Sequence, residues 1–236
     1  SYAVPGGVTS IRESAFSTCT NMVEVTIPAG VTAIGKHPFT YCTSLMTIAV
    51  APANPYFASL DGVLFDKTIT TLVECPGARP GTYTAPGGIT RIADGGFFSC
   101  GSLTHVSLPS TVTNIGNNAF SQCDRLTDFT IPTGVTAIGS YALSPCFSLA
   151  SVTLPDTLTT IGHNAFYGDD ALVSIAIPRS VTTIGAQAFN DCRGLTAINV
   201  DPLNAVYSSK DGVLFDKPAT TLIQFPGGRA GNYTVP

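Results

Sequence analysis

The chain has 236 residues, 44% hydrophobic and only 11% charged, with a formal net charge of −4. Charge this sparse, against roughly 25% in an average domain, and with a slight acidic balance, leaves no basic footprint for nucleic acid. The apolar content excludes a disordered chain, and no apolar run approaches the roughly 18 residues a membrane span requires.

Taken in order, the chain opens on Tyr2-Ala3-Val4-Pro5, which lacks the charged and apolar regions of a signal peptide. A segment of the form Val-Thr-x-Ile then recurs, beginning at Val8, Val31, Ile89, Val112, Val135, Leu158 and Val181. Apart from the gap between Val31 and Ile89, every spacing is 23 residues. A fixed period of this length signals a solenoid. In the copy at Val112 the columns read Val112-Thr113-x-Ile115-Gly116, Ala119-Phe120, Cys123, Leu126, Phe129, Ile131 and Pro132. Phe16, Phe39, Phe97, Phe166 and Phe189 hold the Phe column elsewhere, and Leu143 replaces them once.

Each coil follows from these columns. Leu126-x-x-Phe129-x-Ile131 alternates as a half-buried strand, and Pro132 ends it because proline cannot donate to a ladder. Val112-Thr113-x-Ile115 predicts a second short strand. Gly116 turns the chain, and residues 117–123 are expected to form one short helical or 3-10 turn that drops Ala119, Phe120 and Cys123 inward. One coil cannot bury these faces alone, whereas stacked coils can.

The long gap holds an insertion that returns 150 residues later. Asp61-Gly62-Val63-Leu64-Phe65-Asp66-Lys67 followed by Thr70-Thr71-Leu72 is matched by Asp211-Gly212-Val213-Leu214-Phe215-Asp216-Lys217 followed by Thr220-Thr221-Leu222. Each reads as a β-hairpin. Each also ends in Tyr-x-x-Pro, at Tyr83–Pro86 and Tyr233–Pro236, as the chain begins at Tyr2–Pro5. The expectation is one solenoid over 1–236, with a block of two coils plus hairpin over 6–86 and a block of five coils plus hairpin over 87–236. The matching ends suggest a fragment of a longer chain.

These columns resemble the BspA-like leucine-rich repeats. The resemblance implies a right-handed, β-rich leucine-rich-repeat solenoid with parallel strands on its inner face. It also implies the setting of bacterial and protozoan surface proteins, often linked to adhesion.

Candidate chemistry is sparse. Cys19, Cys42, Cys100, Cys123, Cys146 and Cys192 share one column, which Asp169 fills in the coil at Leu158, and Cys75 lies in the first hairpin element. No Cys-x-x-Cys pair is present for zinc. Stacked side chains point the same way, so a ladder of buried thiols is expected in place of disulfides. His37, His105 and His163 fall in different columns and are expected at the surface. Asp61 and Asp66, with Asp211 and Asp216, do not have the spacing of an EF-hand calcium loop and suit turns. The complete Thr column (Thr9, Thr32, Thr90, Thr113, Thr136, Thr159, Thr182) suits strand propensity and bonding between coils.

No acid–base, nucleophile, metal or cofactor constellation converges, so the expectation is a non-catalytic interaction or adhesion module, secreted or at the cell surface. The alternative is a structural spacer that projects another domain. The binding positions of an interaction module would be the outward side chains of the inner strands: Glu24, Thr26, Thr47, His105, Ser107, Asp128, Thr130, Ser151, Thr153, Ser174 and Asn199. These are mostly small and polar, without the Trp, Tyr and Arg of binding hot spots. They predict weak, multivalent contact with a protein or glycan ligand. End-to-end self-association is also expected, because Pro5, Pro86 and Pro236 share one repeat position.

Overall fold

The computed structural model describes residues 1–231, Tyr233 and Thr234. It is a parallel-strand solenoid of about nine turns. The register repeats the sequence period: Ile92 pairs with Ile115, Ile115 with Ile138, Ile138 with Ile161 and Ile161 with Ile184. The Val-Thr-x-Ile segments therefore stack into the outer ladder. The Thr column runs beside it, and its hydroxyls bond along the stack. Thr32 Oγ1 donates to the Thr9 carbonyl at 3.2 Å, and Thr159 Oγ1 to the Thr136 carbonyl at 2.9 Å.

The Phe, Ile, Leu and Cys columns fill the interior. Phe97 and Phe120 stack with centroids 4.7 Å apart, and Phe166 and Phe189 do so at 5.6 Å. Such pairs add about 0.5–1.5 kcal/mol beyond area burial. Gly116, Gly139, Gly162 and Gly185 mark where successive coils approach closely. A Cβ on Gly139 would lie 2.6 Å from the Gly116 carbonyl carbon, and one on Gly162 equally close to that of Gly139. Ala93 takes this position in the coil at Ile89, whose neighbour is the inserted element.

The segment expected as a helical or 3-10 turn is neither. Among the described residues there is no helix; residues 117–122 form consecutive turns. Alternate N–H groups leave the coil for the next one: Asn118 donates to Ser140 and Phe120 to Ala142, whereas Ser121 and Cys123 close back on Asn118 and Phe120. A helix would direct every N–H along its own axis. Left-handed residues interrupt it further. Ser14, His37, Gly95, Asn118, Tyr141, Asn164 and Gln187 occupy one column, all at positive φ. A non-glycine residue there costs roughly 1–2 kcal/mol, which the bonds between coils offset.

The insertions are larger than hairpins. In the first, strands Phe57–Leu60, Val63–Asp66 and Thr71–Glu74 form an antiparallel meander. Asp61 and Gly62, both at positive φ, make the two-residue turn that joins the first pair. Thr71–Glu74 then joins the outer ladder by pairing with Arg91–Ile92. The second insertion repeats the meander with Tyr207–Lys210, Val213–Asp216 and Leu222–Gln224. The closing segment, expected to match Tyr83–Pro86, reaches Val235 and Pro236, which lie outside the described residues.

Candidate interaction face and the groove at its end

The inner strands present the expected side chains outward, but on three separate ladders. Tyr2–Ala3, Glu24–Ile27 and Thr47–Val50 form the first. Gly81–Thr84, Leu103–Ser107, Asp128–Thr130 and Ser151–Thr153 form the second. Ser174–Ile177 and Ala197–Val200 form the third.

Alternation explains which residues face out. Val25, Ile48, Phe129, Ile175 and Ile198 are buried, while Ser107, Thr130, Ser151, Thr153, Ser174 and Asn199 are exposed. Glu24, Thr26, Thr47, His105 and Asp128 are half-buried. Register places Glu24 beside Thr47, Asp128 beside Ser151, Thr130 beside Thr153, and Ser174 beside Ala197. His105 sits beside Asp128, with Nδ1 at 3.1 Å from the carboxylate. Glu24, Thr26 and Thr47 thus form a group apart from the His105–Thr153 array, and Ser174 and Asn199 form a third.

The first gap is occupied by the inserted meander. The meander covers the free edge of Thr47–Val50, with Ile48 donating to the Gly62 carbonyl at 2.8 Å and Val50 N–H to Ser59 Oγ at 3.1 Å. Ile198, Gly212, Val200 and Ser209 repeat this at the second insertion. The second gap falls between adjacent coils, where no ladder joins Ser151–Thr153 to Ser174–Ile177. The outer strands of these coils remain paired, so the loss of pairing is confined to the inner side.

A groove of about 460 Å³ lies across this second gap, where the chain leaves the inner strands. Thr153, Leu154, Asp156, Asn199, Val200 and Asp201 are among the side chains that line it. Of these, only Thr153 and Asn199 were expected binding positions. Asp156 and Asp201 sit just beyond the strands, where strand alternation gives no signal. Comparison at the 150-residue offset does reveal them, since Gly6 and Ala51 stand in their places.

Outside this face the polar groups are structural. Six cysteines are buried and none is bonded to another. The thiols of Cys42, Cys123, Cys146 and Cys192 donate to the carbonyls of Phe16, Phe97, Phe120 and Phe166, at 3.0, 3.2, 3.2 and 2.9 Å. Burial pushes the Cys42 thiol up to about 11 and the Cys192 thiol up to about 12. Cys19 departs from the expected ladder: it is exposed.

His37 departs as well. It is half-buried against Phe98, with ring centroids 4.9 Å apart, because the short inserted coil brings the turns at His37 and Phe98 together. His163 is exposed, as expected. Asp169 is fully buried; burial raises its carboxyl well above the usual range, and its one bond is from the Cys146 N–H at 2.7 Å. Asp66 binds its own turn, accepting from the N–H groups of Thr70 and Thr71 at 2.7 and 2.8 Å. Among the described residues no three side chains gather as a metal site, and no helix is long and apolar enough to cross a membrane.

The BspA type leucine rich repeat region matches in six copies, over residues 1–69 and 82–209. The chain belongs to this family. A leucine rich cell surface protein of Faecalibacterium prausnitzii shares 29% identity at a TM-score of 0.59, over 98% of this chain and 55% of that one. The pneumococcal vaccine antigen PcpA shares 26% at a TM-score of 0.60, over 83% of this chain and 43% of that one. A leucine-rich repeat protein of Eubacterium ventriosum, 23% identical, shares the fold at a TM-score of 0.71 over 83% of this chain and 59% of that one. The chain thus spans about half the length of these structures. A comparison with curated proteins gives no match. For this BspA-type chain, the match takes in the 23-residue coils and runs into the first meander.

Proposed function

We propose that the chain is a non-catalytic interaction module of a secreted or cell-surface protein, and that it binds protein or glycan ligands through the inner strands. The observation that carries this reading is the array of outward side chains from His105 to Thr153, held on one continuous four-stranded ladder. A rigid ladder presents small polar groups at fixed spacing, so it binds with little ordering cost. Without aromatic or arginine anchors each contact is weak, and repetition supplies avidity. The surface location rests on the family and on the cell-surface description of the Faecalibacterium protein. End-to-end association of copies is a further part of the proposal.

The test is binding of fluorescently labelled chain to cultured epithelial cells, followed by flow cytometry. Thr130→Arg places a bulky side chain mid-array on an exposed position. It is expected to reduce binding several-fold without changing thermal stability. Equal binding by the folded variant would reject the inner face as the interaction surface.

A further inference from the structure

The geometry points to the groove across the second gap as a binding site for a basic peptide segment, with Asp156 and Asp201 receiving a lysine or arginine side chain. This rests on the interaction reading above and names the partner chemistry for one end of the face.

Internal duplication supplies the comparison. The two insertions and the coils before them share one scaffold 150 residues apart. In both copies a buried Asn, Asn54 or Asn204, donates through Nδ2 to two carbonyls of the preceding coil and accepts two N–H groups through Oδ1. Both loops close with the same backbone bond, Asn54 to Ala51 at 2.8 Å and Asn204 to Asp201 at 2.9 Å. Yet the first copy has Ala3, Gly6, Ala49 and Ala51 where the second has Thr153, Asp156, Asn199 and Asp201. Since Ala51 closes its loop unaided, folding does not require the Asp201 carboxylate, although one of its oxygens does accept the Leu203 N–H at 2.8 Å. Asp156 is exposed.

Charge and shape select the occupant. No lysine or arginine lines the groove. Arg179, next to Pro178, forms no ion pair with either carboxylate, and Lys217 is held by the Pro202 carbonyl at 2.9 Å. Half-exposed Val152, Leu154 and Val200 provide an apolar floor. A lysine or arginine side chain matches both features, laying its methylene stem on apolar surface while its head meets the carboxylates. The missing ladder also changes the backbone at this edge. Ile131 donates to Thr153 in the next coil at 3.0 Å, but Leu154 makes no such bond to Ala176, so its N–H is left free of the ladder.

The experiment measures fluorescence anisotropy of a labelled peptide of alternating lysine and alanine against the whole chain, at low and at physiological salt. Binding is expected to weaken as salt screens the carboxylates. Asp156→Asn should weaken it roughly threefold, as suits one exposed ion pair. Glu13→Gln removes the same charge at a distant exposed position and should leave binding unchanged. The triple variant Asp156→Gly, Asn199→Ala, Asp201→Ala copies the first block and should lose at least about tenfold, the effect of several contacts. Equal losses for Asp156→Asn and Glu13→Gln would mean non-specific attraction and overturn the proposal. So would absence of binding, or equal binding of the matched glutamate–alanine peptide or of a neutral oligosaccharide. If Thr130→Arg abolishes cell binding while Asp156→Asn leaves peptide binding intact, the groove proposal fails and the module reading stands.

Discussion

At the scale of single residues, the core columns set stability and the exceptions set its pH dependence. Phe120 is fully buried between Phe97 and Phe129. Phe120→Ala is expected to cost about 3–5 kcal/mol, read as a shift of the denaturant midpoint. Asp169 introduces a carboxyl where other coils place a thiol, and burial raises its pKa. A carboxyl whose folded pKa is raised destabilises the fold progressively as pH climbs above its unfolded value. Asp169→Cys should therefore raise the melting temperature by an amount that grows from pH 4 to pH 7. A gain independent of pH would show that the carboxyl is not the cause. The thiols give a third expectation. Only exposed Cys19 should react quickly with a thiol reagent in the native protein, and all seven should react after unfolding without reductant. A shortfall after unfolding would mean that disulfides exist.

At the scale of elements, the meanders are held by their own turns. Burial alone would raise the Asp66 carboxyl, but hydrogen bonds from Thr71, Thr70 and Thr68 outweigh it and hold it below the usual range. A depressed folded pKa stabilises above the ordinary carboxylate range, and that contribution is lost as pH falls through the folded value. Asp66→Ala should cost about 1–3 kcal/mol by leaving two N–H groups unpaired. Hydrogen exchange at Thr70 and Thr71 should accelerate in this variant at neutral pH, and the difference from wild type should shrink in acid. The meander was legible in part. Asp61-Gly62 marks a turn, and the run Val63 to Asp66 marks a strand, but Phe57–Leu60 has no strong pattern because its pairing partner defines it. The turn segments misled for a related reason. Residues 117–123 have the spacing of a helical turn, yet their alternate N–H groups find partners 22 or more residues away, which local propensity does not register.

At the scale of the molecule, the two ends offer complementary edges. Among the described residues, strand Ser10–Ile11 has Ala33–Ile34 on one side only, and Leu222–Gln224 pairs only within its meander. In the first block the matching strand, Thr71–Glu74, continues the stack by pairing with Arg91–Ile92. Leu222 and Ile223 are exposed at one end and Tyr2 at the other. Copies of this chain are therefore expected to join head to tail, a contact that does not close on itself. Light scattering should show mass rising with concentration, and Leu222→Lys should suppress the rise. A wild-type chain that stays monomeric across the series would reject this.

The sequence by itself determined the coil. A 23-residue period with fixed Val, Ile, Phe, Cys and Leu columns leaves one way to bury every apolar face, and parallel stacking in register follows from it. It also determined which inner-strand side chains face out, because alternation is a local property. Only the tertiary structure decided how far that face extends. The meander edge that covers Thr47–Val50 and the missing ladder at Thr153 both depend on contacts between distant segments. Asp156 and Asp201 form one groove for the same reason: they are 45 residues apart in sequence, and only the stacking of coils brings them to a common edge.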